Sequence, residues 1–224
     1  PVVAIPVPAA AVPQDPAGPA LREGTDWKRF APHVMTVYLL GVALMFGRLL
    51  LAVNGAVRLR RASAPVADPV LLEMIARRAR AVGLRFVPAV AFCKEVLVPT
   101  VVGLLRPMIL LPVAFASGLS PGQVEAILIH ELEHIRRHDY LVNLFQRVAE
   151  ALLFFHPAVW LVSRRIRIER EHCCDDAVVA VGCEPLVYAE SLVTQAERAL
   201  SARAGRCAAA MALYADGGSG DLRS

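Results

Sequence analysis

Hydrophobic and polar residues change their spacing several times along the chain, and each change predicts an element. Residues 34–57, VMTVYLLGVALMFGRLLLAVNGAV, are apolar apart from Arg48 and Asn54 and a few small or hydroxylated residues. A bilayer core takes roughly 20 apolar residues in a helix, so this run predicts a transmembrane helix. Arg48 lowers its score and would snorkel or pair with a polar group on a neighbouring helix. From 68 to 83, Val70, Leu71, Met74, Ile75 and Ala79 line one side while Arg77, Arg78 and Arg80 face water. That spacing predicts an amphipathic helix, ended by Gly83. Between 84 and 113 the pattern shortens to RFVPAVAFC, VLVPTVVGLL and PMILLPVAF, broken by proline and glycine. These runs predict two or three strands of a small antiparallel sheet, with Pro88 and Pro99 at edges or bulges.

Helical spacing returns at 119 and continues to 155. Ser120 caps this helix, Pro121 takes the first helical position and Gln123 completes a capping box. His156-Pro157 breaks it, because the proline ring blocks continuation. A second helix follows over about 158–182, stopped by Gly182, and a third over 185–200. Polar residues Asn143, Gln146, Arg147, Glu150 and His156 interrupt the apolar stretch 141–162, which predicts a buried or membrane-adjacent helical hairpin rather than a simple span. Residues 1–30, rich in Pro and Ala, predict a flexible linker, and 204–224 a disordered tail. The resulting class is α+β, mainly helical, with a small sheet and a transmembrane helix ahead of a domain over 65–200.

Composition supports the membrane. Of the 224 residues 56% are hydrophobic, and the mean hydropathy of +0.50 is high for a soluble domain. The net charge of +4 is concentrated in Arg58, Arg60 and Arg61 and in Arg164, Arg165, Arg167 and Arg170. A basic cluster directly after an apolar run marks the cytoplasmic face of a membrane more often than a nucleic-acid site, so no direct nucleic-acid binding is expected. The linker then lies outside the cell and the domain inside. Five irregularly spaced cysteines form no disulfide framework or zinc pair and are expected as reduced thiols. The chain opens on Pro1 rather than Met, as a fragment or processed product would, and shows no signal peptide and no internal repeat.

The chemistry lies in AILIHELEHIRR, residues 126–137. Residues four apart share a helix face, so His130 and His134 can each turn a ring nitrogen to one zinc ion. Glu131, one residue on, is placed to take a proton from attacking water and to hand it to the leaving amine. Two histidines at this spacing also arise by chance, so a third ligand is needed. A further His at 140 is excluded, because Tyr140 stands there. His138 would strain a straight helix and is expected at the surface. The remaining route is EHCCD, which offers Glu171 as ligand and, one turn on, Asp175 as acceptor for the second ring N–H of a ligand histidine. Glu150 and Glu169 are rival ligands without an Asp four residues on, and Asp176 is a weaker alternative to Asp175. The competing role for Glu171 is a surface pair with Arg167.

RPMILLP, HELEHIRRHDYLVNLFQ, EALLFFHPAVW and RIRIEREHCCDDAV together resemble the BlaR/MecR-type antirepressor membrane metallopeptidases, over roughly 65–185. The resemblance implies a gluzincin-like zinc domain on the cytoplasmic side of a bacterial cell membrane. It implies His130, His134 and Glu171 as ligands of one zinc ion, with Glu131 as catalytic base. It implies a signal relayed by cleavage of a cytoplasmic transcriptional repressor or of the receptor itself. Members of the family carry several spans, whereas one clear span is visible here. Nothing in the chain resembles the family's extracellular penicillin-binding sensor, so β-lactam sensing is not implied. A membrane quality-control metalloprotease and a non-enzymatic membrane scaffold are the other readings of the same features.

Overall fold

In a computed structural model, the described residues are 27–115 and 119–217. The expected linker therefore lies almost wholly outside them. The chain divides into a unit of residues 1–40 and a unit from Gly41 onward. The described part of the first is helical from Trp27. It opens α1 (Trp27–Ala62), which is longer at both ends than the run at 34–57 and carries Pro32 near its start. Among the described residues α1 is the one helix long and apolar enough to cross a membrane.

The second unit is built on α3 (Pro121–Arg136). Ser120 and Gln123 form the expected capping box, each side chain bonding the other's backbone N–H. Val124, Ile127, Leu128, Ile129, Leu132 and Ile135 are all buried, as are Glu131 and Glu133, so α3 is covered on most sides and runs through the core. Around it pack α2 (Pro69–Ala81), α4 (Asp139–Leu152), α5 (Pro157–Ala180) and α6 (Pro185–Gly217). Asp68 caps α2, accepting from the Val70 N–H at 2.9 Å, and Leu71, Ile75 and Ala79 bury the predicted stripe.

The sheet has strands β1 (Ala64–Pro65), β2 (Ala89–Cys93), β3 (Thr100–Val102) and β4 (Met108–Pro112), in the order β1-β2-β4-β3. It is mixed rather than antiparallel, because β2 and β4 run parallel. After β2 the chain passes to the far side of β4, forms β3 at the edge and returns through a turn at Gly103. That turn needs glycine: its φ is +102°, and a Cβ there would meet the Arg106 carbonyl at 2.6 Å. β4 thus becomes a central strand, with Ile109, Leu110 and Leu111 fully buried, as its unbroken apolar run requires. Pro65 and Pro99 lie in or beside the edge strands, where no ladder N–H is lost.

Two helical expectations change. The helix expected over 119–155 is two helices, broken where His138 adopts the left-handed conformation at φ 57°. The N–H groups of Arg137 and His138 bond back to Glu133 and Ile135, closing α3, and His138 O opens α4. The last helix extends past 200 to Gly217, because Ala-rich residues 204–213 favour helix; of the expected tail, only 218–224 lie outside the described residues. α4 and α5 form the expected hairpin, and Cys93, Cys173, Cys174 and Cys183 are free thiols.

Candidate metal centre

His130 and His134 sit one turn apart in the last two turns of α3, held by the buried residues on either side. Their rings meet edge to face, with centroids 4.8 Å apart. Glu171 comes from α5. Its Oε2 stands 3.5 Å from His130 Nε2 and 3.8 Å from His134 Nε2. The three ligand atoms lie within 4.8 Å of one another. His130 is 13% exposed and Glu171 54%, so the cluster is walled by the core and opens toward solvent on the α5 side.

The opposite edge of each ring is engaged. His130 Nδ1 lies 2.8 Å from the Tyr188 hydroxyl and 3.2 Å from Asp175 Oδ1, and the hydroxyl donates to the same Asp175 oxygen at 2.6 Å. His134 Nδ1 lies 2.8 Å from Asp139 Oδ2, with Cys174 Sγ 3.3 Å away. An acceptor at Nδ1 keeps a proton on that nitrogen, so Nε2, facing Glu171, is the atom that would give up its proton to a metal ion. Two imidazole nitrogens and a carboxylate oxygen, converging with an open side, suit zinc and leave room for water or substrate.

The charges follow this arrangement. Burial pushes the Glu131 carboxyl above its ordinary value, the nearby Glu171 charge adds to this, and the two imidazoles oppose it. A carboxyl so raised is a better proton acceptor for general base work. Burial works against charge on His134, but its hydrogen bonds to Asp139 and Cys174 outweigh this and raise it to about 10. The hydrogen bond to His130, helped by the neighbouring cations, lowers Glu171. Burial and then the bond to Asp175 raise the Tyr188 hydroxyl, so it is a protonated donor throughout the neutral range.

All the residues singled out from sequence, His130, Glu131, His134, Glu171 and Asp175, fall in this one cluster. The rivals fall elsewhere. Glu150 is bonded by Arg147 and Arg167 at 3.1 Å each, and Glu169 pairs with Arg165 at 2.7 Å. Arg167, the competing partner for Glu171, is thereby directed to Glu150. Asp176 is exposed, as is His138. His156 caps α5, its Nδ1 accepting from the Ala158 N–H at 3.2 Å, which is a helix-start role. Two contributors escaped the sequence reading. Asp139 lies just beyond the HELEH motif, past the break that ends α3, and Tyr188, far along the chain on α6, carries no local motif.

Known proteins share sequence with this chain. The model of the BlaR1 peptidase M56 family matches residues 11–213. The regulatory protein BlaR1 of Bacillus licheniformis is 37% identical over 81 residues, 36% of this chain and 13% of that protein. The methicillin resistance mecR1 protein of Staphylococcus aureus is 29% identical over 97 residues, 42% of this chain and 17% of that protein. The matched segments are thus a small part of each relative's length. A family match running through α1, the sheet and all the helices that build the His130–His134–Glu171 cluster leaves one conclusion: the chain belongs to the BlaR1 peptidase M56 family, a family of metallopeptidases.

Proposed function

We propose that this chain is the membrane-anchored zinc endopeptidase module of a signalling protein, which cuts a cytoplasmic regulator, such as a transcriptional repressor, or the protein that contains it. The observation that carries the reading is the pairing of ring edges: both Nε2 atoms turn to Glu171 while both Nδ1 atoms are tied to acceptors. His130, His134 and Glu171 would hold the ion. When bound there, zinc supplies Lewis-acid polarisation of the water and of the scissile carbonyl. Glu131 accepts the proton from attacking water and returns it to the leaving amine nitrogen. Asp175 with Tyr188, and Asp139, keep the two imidazoles in the tautomer that leaves Nε2 free. The edge strand β3, packed near α3, offers an open ladder on which a substrate can lie extended.

In this reading α1 crosses the membrane through its apolar stretch within 34–57. The domain over 65–200 lies on the cytoplasmic side, marked by Arg58, Arg60 and Arg61, and residues 1–30 on the other. The names of the relatives, a regulatory protein and a resistance protein, support signalling.

The test is zinc content and cleavage by the full chain purified in detergent. Wild type and Glu131→Ala are expected to hold one zinc ion, and His134→Ala and Glu171→Ala to lose it. Self-cleavage, or cleavage of a repressor encoded beside this protein, is expected to fall by at least ~10²-fold in Glu131→Ala. A wild-type chain without metal, or undiminished cleavage by Glu131→Ala, overturns the reading.

A further inference from the structure

The turn between α4 and α5 is apolar apart from the exposed His156, whose ring caps α5. Leu152, Leu153, Phe155, Trp160, Leu161 and Val162 are all exposed, Phe155 at 61% and Leu161 at 69%. A contiguous apolar patch of this kind marks a contact surface. Its position in the fold says with what. Phe154, in the same turn, is seated on α1 at Gly41, where a Cβ would run into its ring. Gly41 belongs to the apolar stretch of α1. If that helix crosses a bilayer, as proposed above, Gly41 and the ring resting on it are in hydrocarbon.

The charges on the neighbouring helices share one register. Arg48 follows Gly41 by seven residues, Arg147 precedes Phe154 by seven, and Arg164 follows Pro157 by seven. At ~1.5 Å per residue each lies about 10 Å from the tip. Gln146 Nε2 donates to the Ser163 carbonyl at 3.0 Å, which sets this level of α4 against the same level of α5. Arg48 and Arg147 line a common cavity of about 740 Å³ between α1, β3 and α4. Arg147 also reaches Glu150 and Arg165 reaches Glu169, so these guanidiniums keep partners on the protein. Between this level and the tip, Glu150 is buried inside the hairpin and bonded by Arg147 and Arg167. Trp160 turns its Nε1 to the Phe154 carbonyl at 3.0 Å, leaving ring surface outward.

We propose that the α4–α5 turn inserts into the acyl region of the bilayer beside α1, to a depth of about 10 Å, with Arg48, Arg147, Arg164 and Arg165 lying at the level of the lipid phosphates. The partner is lipid: an apolar, aromatic tip fits acyl chains, and a level of cations fits the headgroups of anionic lipids. This placement moves the membrane boundary on α1 from Arg58 to Arg48. The hydrocarbon portion becomes residues 30–47, which is ~27 Å long and matches a bilayer core of about 30 Å. It also fixes the height of the metal centre. Asp139, at the other end of α4, lies eight residues from Arg147, or about 12 Å beyond the headgroup level. The centre is thereby set to meet chain close to the membrane surface.

The inference rests on α1 as a bilayer span, and the test separates the two. The full chain carrying Trp27→Phe, with Trp160 as its remaining tryptophan, is reconstituted into vesicles of phosphatidylcholine and phosphatidylglycerol. Trp160 emission is expected to drop with lipids brominated on their acyl chains and to resist the aqueous quencher acrylamide. A second variant, Leu44→Trp with Trp27→Phe and Trp160→Phe, reports α1. If Leu44→Trp is quenched by brominated lipid while Trp160 responds to acrylamide alone, insertion of the turn is wrong and the span stands. Silence of Trp160 toward both quenchers shows protein over the turn and also overturns it. If Leu44→Trp escapes brominated lipid, the span itself fails and takes the inference with it.

Discussion

The Tyr188 hydroxyl stands 2.8 Å from Nδ1 of His130 and bridges it to Asp175. Residues on α3, α5 and α6 thus meet at one ring, and Tyr188 is the part contributed by the element most distant in sequence. In the proposed site its role is positioning. Tyr188→Phe keeps the ring packing and removes the bridge, so zinc affinity is expected to fall by ~10–100-fold, measured by competition with a chromophoric chelator. Asp175→Asn is expected to fall in the same range, and the double variant to lose little more, because the two act on one nitrogen. Unchanged affinity in Tyr188→Phe would remove it from the site.

The companion contact is His134 with Asp139, at 2.8 Å. Asp139→Asn offers a weaker acceptor and also a donor, so the His134 ring loses its fixed tautomer. Zinc affinity is expected to drop by ~10–100-fold here too. Its effect should add to that of Tyr188→Phe, because the two act on different ligands. A double variant no weaker than either single one would contradict two separate supports.

His138 holds the break between α3 and α4 in the left-handed region. An L residue with Cβ branching is disfavoured there, so His138→Val is expected to lower stability by about 1–2 kcal/mol. His138→Gly suits the conformation and should cost far less, its added freedom in the unfolded chain offsetting the relief. Thermal unfolding in detergent compares the two. Equal melting temperatures would mean that the break is not maintained in solution.

Arg78 on α2 bonds Glu125 on α3 at 2.5 Å, with Arg77 at 3.4 Å. The hydrogen bond from Arg78, and then the charges of both arginines, hold the Glu125 carboxyl below its ordinary 4.5 against the opposing effect of burial. A carboxyl lowered on folding contributes stability that is present above its unfolded value and is lost as pH falls through the folded one. Wild type should therefore exceed Glu125→Gln by on the order of 1 kcal/mol at pH 7, and the two should converge well below pH 4.5. A difference that persists at pH 2 would assign the effect to packing instead.

The sequence by itself determined what depends on neighbours along the chain. A run of apolar residues marks α1, which is long and apolar enough to cross a membrane. A capping box starts α3, and spacing by four puts His130 with His134 and Glu171 with Asp175, because one helical turn fixes those faces. Pairing of strands was less legible: hydrophobic runs mark β2 and β4, but their parallel pairing depends on which side of β4 the chain passes. What tertiary structure alone decided is how separate turns meet. On an unbroken helix Asp139 would point about 140° away from His134, at ~100° per residue. The left-handed step at His138 turns it back to 2.8 Å, and no helical periodicity contains that step. Tyr188 reaches His130 because α6 packs on α3, and Arg167 leaves Glu171 to the histidines because α4 presents Glu150 to it. Local spacing sets which face a residue occupies; the packing of helices sets what that face meets.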